Sequence, residues 1–256
     1  MANDKRAVAF LDILGFKKMI DRIPLEKIVE NYEKLINNSR GYSNWIGNNT
    51  ESSIFTGADP KDMCKQSDSI ILFANDSSEV SFLRLIIYAW RLLQFSIVTG
   101  LPIRGAISYG DIYINEDLNV FLGKGLLKAY QIEGKQNWIG VILDEIVEEQ
   151  YSNIFGPKNT IFNNVMLKYN VPFKDGSYHN FRALNWRFNL IVKNGTRSLF
   201  KNEDNDQSVE AKILNTLEFA RRIVSSGNIY ATNIPIEFRS LWVGDSQPPF
   251  NHGDDL

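Results

Sequence analysis

The chain is poor in the residues that carry most nucleophilic and soft-metal chemistry. Its 256 residues include one cysteine, Cys64, and two histidines, His179 and His252. A single thiol excludes an intrachain disulfide and a cysteine-rich zinc site. Two histidines nearly exclude a multi-histidine metal centre or a catalytic triad. An excess of one charge is also missing: 28 Lys and Arg stand against 30 Asp and Glu, a net charge of −2. That balance argues against polymeric nucleic acid as partner, although a few lysines suffice for a local anion pocket. No G-x-x-x-x-G-K-[ST] phosphate loop occurs. The N-terminus, Met-Ala-Asn-Asp-Lys-Arg, passes into a strand-like run without an apolar leader. No segment reads as the roughly 18 apolar residues of a membrane span, so the expectation is a soluble, cytoplasmic protein with no membrane partner.

What the chain does have is apolar bulk and a pair of misplaced acids. At 44% hydrophobic and 12% aromatic residues it can bury a full core. Two apolar, strand-like runs each carry an aspartate: Phe10-Leu11-Asp12-Ile13-Leu14-Gly15-Phe16 and Ser67-Asp68-Ser69-Ile70-Ile71-Leu72-Phe73. A carboxylate in such a run is costly to bury unless a cation or hydrogen-bond donors compensate it. Two of them point to a site that concentrates negative charge to hold Mg²⁺ or Mn²⁺ for phosphate chemistry.

Periodicity supplies the frame. Ala7 to Leu14 alternates as a strand, and Gly15-Phe16 opens helical spacing that breaks near Pro24 and resumes through Ile28, Tyr32, Leu35 and Ile36. Asn48 to Pro60 is polar and reads as a loop; Ser69 to Phe73 reads as a strand; Glu79 to Val98 reads as a long helix stopped by Gly100 and Pro102. Pro102–Ser108 and Asp111–Ile114 read as two strands of a hairpin meeting at Tyr109-Gly110, with a short run at Asn119–Leu122 beyond. Gly123–Glu133 reads as a helix, Trp138–Leu143 as a strand, Asp144 as the start of a helix, Asn153–Lys174 as loop, and Val209–Val224 as an amphipathic helix. The order suits a ferredoxin-like α+β sandwich, a mixed or antiparallel sheet with flanking helices. The expected organisation is a core over 5–150 and a C-terminal extension over 151–256 packed on it.

Four blocks in order carry a resemblance. Phe10 to Phe16 resembles the F-x-D-I-x-G-F motif of class III nucleotidyl cyclases, and Asp68 before its apolar strand resembles their second metal aspartate. Ile103-Arg104-Gly105-Ala106-Ile107-Ser108-Tyr109-Gly110-Asp111 is similar to their L-R-x-G-I-x-x-G-E hairpin, and Leu122 to Glu133 to their I-G-x-x-V-N-x-A-x-R-L-E helix. The departures matter as well. Leu127 and Gln131 stand where the family has its transition-state Asn and Arg, and Cys64 and Val120 fall near its purine-reading Lys and Asp. The helix and hairpin blocks, with Asn185-Trp186 and Asn215-Thr216-Leu217-Glu218-Phe219, resemble more closely the bacterial pyrimidine cyclases of the Pycsar anti-phage systems, whose cyclic UMP or cyclic CMP activates a separate effector protein.

The resemblance implies a catalytic domain that converts UTP or CTP to the 3′,5′-cyclic monophosphate with two divalent ions, as a homodimer with sites between subunits. Attack of the 3′-hydroxyl on its own α-phosphorus demands positioning and charge neutralisation. Asp12 and Asp68, with the carbonyl of Ile13, are the expected metal ligands. Gly15 and Phe16 are expected to receive the β- and γ-phosphates. With Gln131 in place of an arginine, Arg104 is the first candidate cation, both catalytic and substrate-binding, followed by Lys128, Lys124 and Lys65. A purine cyclase and a catalytically inactive nucleotide-binding protein of the same fold remain as alternatives.

Overall fold

A computed structural model describes residues 4–49, 63–115, 117–155, 165–186 and 205–225. Strand β1 (Asp4–Ile13) sorts its side chains by the two-residue period of an extended chain. Ala7, Ala9, Leu11 and Ile13 are buried on one face of the sheet. Val8, Phe10 and Asp12 therefore point to the other. Gly15 then turns the chain with φ 76°, a left-handed conformation that favours glycine, and caps α1 (Phe16–Arg22). Pro24 separates it from α2 (Leu25–Asn49).

A tight hairpin joins β2 (Met63–Gln66) to β3 (Ser69–Phe73), with Gln66 opposite Ser69. Its two-residue turn places Ser67 at φ 57°, and Asp68 follows at the tip. The long helix α3 (Glu79–Val98) starts at Ser78, whose side chain accepts from the backbone N–H of Ser81. Contrary to the expectation from sequence, α3 is long and apolar enough to cross a membrane. It is instead a core helix, with 89% of that stretch buried.

Next come β4 (Ile103–Asn115), β5 (Val120–Leu122), α4 (Lys124–Lys135), β6 (Val141–Leu143) and α5 (Glu145–Gln150). Then follow β7 (Met166–Pro172), β8 (Tyr178–Leu184) and α6 (Gln207–Ser225). The fold is α+β: one mixed sheet in the order β2-β3-β1-β4-β6-β8-β7, with β5 paired to the far half of β4. β4 and β6 are parallel, and the other pairs are antiparallel. The β7–β8 hairpin continues the sheet across the expected boundary at residue 150.

Three expectations fail among the described residues. Tyr109-Gly110 is not a turn, because β4 runs straight through it, and the hairpin closes later, between β4 and β5. Gly110 is there for contact: a Cβ on it would lie 2.9 Å from the backbone nitrogen of Gly125, where α4 crosses the strand. The stretch expected as loop over 153–174 contains β7, whose seven residues all pair with β8. The run expected as strand over 138–143 is extended only at Val141–Leu143. The polar loop expected at 48–60 lies almost wholly outside the described residues.

Candidate active site

The two aspartates that the sequence places 56 positions apart meet at one end of the sheet. Asp12 is the penultimate residue of β1, and its Cα partners are Ser69 on β3 and Arg104 on β4. Asp68 is fixed beside it because the N–H of Ile13 donates to the Asp68 carbonyl at 2.8 Å. On the other side, the N–H of Leu14 donates to the Pro102 carbonyl at 2.8 Å, so the exit of β1 is tied to both neighbouring chains. Partial burial, then the charges of Glu133 and Asp68, push the Asp12 carboxyl up to about 6, against weaker opposition from Arg104 and Lys174. A carboxylate so placed is short of positive charge.

Arg104 does not supply it as a free cation. It is 6% exposed; its Nε donates to Glu133 Oε1 at 2.6 Å and its Nη1 to the Gln136 carbonyl at 2.9 Å. Its Nη2 also pairs with Glu133. The guanidinium thus links β4 to the C-terminal turn of α4. Lys124 and Lys128 are exposed on α4. Lys65 belongs to β2, directly opposite Ile70, and its side chain lies outside the description. Gly15 is exposed and Phe16 packs partly buried against the core. Among the described residues, no group of three or more His, Cys, Asp or Glu is arranged to hold a metal.

Sequence reasoning missed the cations that do approach. Lys174 sits just past β7, where Phe173 bridges to Gln136 and the Lys174 N–H donates to the Lys135 carbonyl at 2.8 Å. Its ammonium is pushed below the usual lysine range by burial and then by Arg104, while Glu133 and Asp12 pull the other way. Lys212, on α6, is likewise lowered by burial, then by Arg104 and Lys174. No local motif marks either lysine; only the buried partner of Arg104, Glu133, stands inside a block that drew attention.

The Asn215-Thr216 pair, by contrast, has a visible role. Asn215 Nδ2 donates to the Asn137 carbonyl at 2.7 Å, and the Ile139 N–H donates to Thr216 Oγ1 at 2.9 Å. These bonds fasten α6 to the loop after α4.

Compared with known protein families and with curated proteins, the chain matches none. Among solved structures it is similar to the adenylyl cyclase CyaB from P. aeruginosa, with 16% identity, 72% of this chain and 95% of that one covered, and a TM-score of 0.45. It is also similar to the catalytic core of a rhodopsin-guanylyl cyclase with converted specificity in complex with ATPalphaS, with 11% identity, 72% and 96% covered, and a TM-score of 0.46. A third is the guanylyl cyclase Cya2, with 13% identity, 72% and 93% covered, and a TM-score of 0.41.

Proposed function

We propose that this chain is a nucleotidyl cyclase that converts a pyrimidine nucleoside triphosphate, UTP or CTP, to its 3′,5′-cyclic monophosphate and pyrophosphate. The observation that carries this reading is the meeting of Asp12 and Asp68 at the exit of β1. Their surroundings fit a hard divalent cation. Two carboxylates, one of them pushed up to about 6 by burial and neighbouring acids, leave a deficit of positive charge. Mg²⁺ commonly takes one or two carboxylates and completes its shell with phosphates and water. Asp12 and Asp68, with the carbonyl of Ile13, would hold two such ions, Mg²⁺ or Mn²⁺. When bound, these supply acidification of the 3′-hydroxyl and neutralisation of the phosphates.

The chain's own groups then do the positioning. The 3′-oxygen forms a bond to the α-phosphorus, the bond from that phosphorus to the bridging oxygen of the β-phosphate breaks, and the hydroxyl proton passes to solvent. Gly15, free of a Cβ, lets the backbone and Phe16 approach the phosphates. Arg104 acts on the site through Glu133 and α4, holding the strand and helix in register. Lys124 and Lys128, exposed on α4, would contact a substrate held by the other copy of a homodimer, and Lys65 lies on the strand leading to Asp68. The choice of a pyrimidine rests on the resemblance to the Pycsar cyclases, as do the role in anti-phage signalling and the separate effector that reads the product. The core over 5–150 and the extension over 151–256 act as one catalytic unit.

Incubation of the purified chain with each of ATP, GTP, CTP and UTP plus Mn²⁺, with Asp68→Ala alongside, tests this reading by product mass. A cyclic pyrimidine monophosphate that vanishes in the variant supports it. A cyclic purine product makes the chain a purine cyclase. No product from any nucleotide favours the binding-only reading, which Leu127 and Gln131 at the resemblance's transition-state positions would then explain.

A further inference from the structure

The C-terminal helix α6 is fixed at both its ends of contact to elements that frame Asp12. Toward its start, Lys18 of α1 pairs with Asp206 at 3.1 Å, and the Ser208 N–H donates to the same Asp206 side chain at 2.9 Å. About two turns further on, Asn215 donates to the Asn137 carbonyl and Thr216 accepts from the Ile139 N–H. The adjacent Gln136 carbonyl receives Arg104. Lys212 stands between these two anchors, partly buried, with Nζ donating to the Ser208 carbonyl at 2.9 Å. The other donors of that ammonium make no hydrogen bond or ion pair among the described residues.

The anchors gather charge. Lys212 lies within electrostatic range of Arg104, Lys174 and Lys18, with Asp206 as its acidic neighbour. Lys174 and Arg104 in turn lie within range of Asp12. Arg104 and Lys18 are paired with Glu133 and Asp206, which leaves exposed Lys174 and half-buried Lys212 as ammonium groups without an ion pair among the described residues, charge that a bound polyanion would compensate. The arrangement is polar along its length, with carboxylates at the β1 exit and ammonium groups at the α1–α6 contact. A nucleoside triphosphate with its divalent ions has the matching polarity.

We propose that α6 forms a wall of the nucleotide site and that Lys212 binds the terminal phosphates of a triphosphate whose metal ions are held at Asp12 and Asp68 of the same chain. This rests on the cyclase reading above and adds to it a substrate-binding residue supplied in cis by the C-terminal extension. The extension thereby couples substrate occupancy to its own docking, because the same helix that carries Lys212 is clamped to α1 through Asp206.

The test is calorimetric titration of the full chain in Mg²⁺ with inorganic tripolyphosphate, which carries the phosphates without a base, followed by turnover of UTP and CTP. Wild type is expected to bind tripolyphosphate. Lys212→Gln is expected to weaken that binding about tenfold or more, the loss of one charge-assisted contact. Lys212→Arg should retain most of it, and Arg221→Gln, an exposed substitution on the same helix, should leave it unchanged. In turnover, Lys212→Gln should raise KM more than it lowers kcat. Unfolding midpoints close to wild type in all variants separate loss of contact from loss of fold, and Lys212→Arg provides the comparison should Lys212→Gln unfold. Unchanged tripolyphosphate affinity in Lys212→Gln, or no binding by wild type, overturns the inference. Lys212-dependent binding without turnover of any nucleotide overturns the cyclase reading and leaves the anion site standing.

Discussion

Arg104 stands directly opposite Asp12 in the β1–β4 register, yet its guanidinium is engaged by Glu133 and the Gln136 carbonyl. Cross-strand neighbours of opposite charge ordinarily satisfy each other. Here the arginine is engaged elsewhere, and the aspartate keeps its negative charge for a ligand.

That relationship sets a stability prediction for Asp12→Asn. The folded-state carboxyl, at about 6, lies above its ordinary value of 3.8, so the native chain holds this proton more tightly than the unfolded chain does. Stability from this group is therefore greatest below the unfolded value and falls as pH rises through about 6, after which the penalty is constant. Removing the charge should stabilise the metal-free protein by about 1–2 kcal/mol at pH 7.5, after allowance for solvent screening. The gain should shrink toward zero below pH 4 or so. Thermal unfolding in EDTA at both pH values checks the sign, and cyclase activity should be lost in the same variant.

Metal and proton should also compete at Asp12. At limiting Mn²⁺, turnover is expected to fall as pH drops through about 6, where the carboxyl takes up its proton. Raising Mn²⁺ should move the midpoint to lower pH, because a bound cation favours the ionised form. Initial rates from pH 5 to 8 at two Mn²⁺ concentrations provide the measurement. A midpoint indifferent to metal would separate this titration from metal binding.

The Arg104–Glu133 pair is buried, with the two side chains 7% and 5% exposed. Glu133→Gln leaves a buried guanidinium without its counter-ion and should destabilise the fold by about 3 kcal/mol, visible as a lower urea midpoint. Arg104→Met combined with Glu133→Leu should recover most of that loss, since an apolar pair of similar volume avoids the desolvation penalty. Activity in the double variant should stay below wild type, because the Gln136 loop that anchors both Lys174 and α6 loses one of its ties to β4 and keeps only those to Gly105.

How much of this was legible in the sequence depends on whether the signal is local. Asp12 could be read because an acid inside an apolar strand breaks a short-range pattern, Asp68 because it directly precedes one, though it lies in the hairpin turn and not in the strand, and β1, β3, α3 and α4 follow from periodicity alone. Gly110 misled for an equally physical reason. A glycine inside a strand looks like a turn, but here it makes room for the backbone of Gly125. The strand β7 does alternate, with Leu167, Tyr169 and Val171 set between Lys168 and Asn170, but the run is short and bounded by polar sequence, and pairing with β8 is what fixes it. Lys174 and Lys212 were beyond reach. Each is one lysine among many, and only the folding of the hairpin and α6 onto the loop after α4 brings them toward Arg104.

The remaining prediction concerns assembly. Leu118, Leu122, Leu127 and Tyr130 are 70%, 62%, 55% and 56% exposed, and they cluster on the β4–β5 hairpin and on α4. Tyr130 also lies edge-on to Phe10, two residues from Asp12, with ring centroids 5.3 Å apart. An apolar surface beside the strand that carries Asp12 suits a second copy of the chain. Leu122→Glu with Leu127→Glu should therefore shift sedimentation from dimer to monomer and lower turnover about tenfold or more at micromolar protein. The unfolding midpoint, extrapolated to low protein concentration, should change little, since these side chains support no intrachain core. Full activity from a monomeric variant would place the whole site within one chain and overturn the shared-site reading, including the trans role of Lys124 and Lys128.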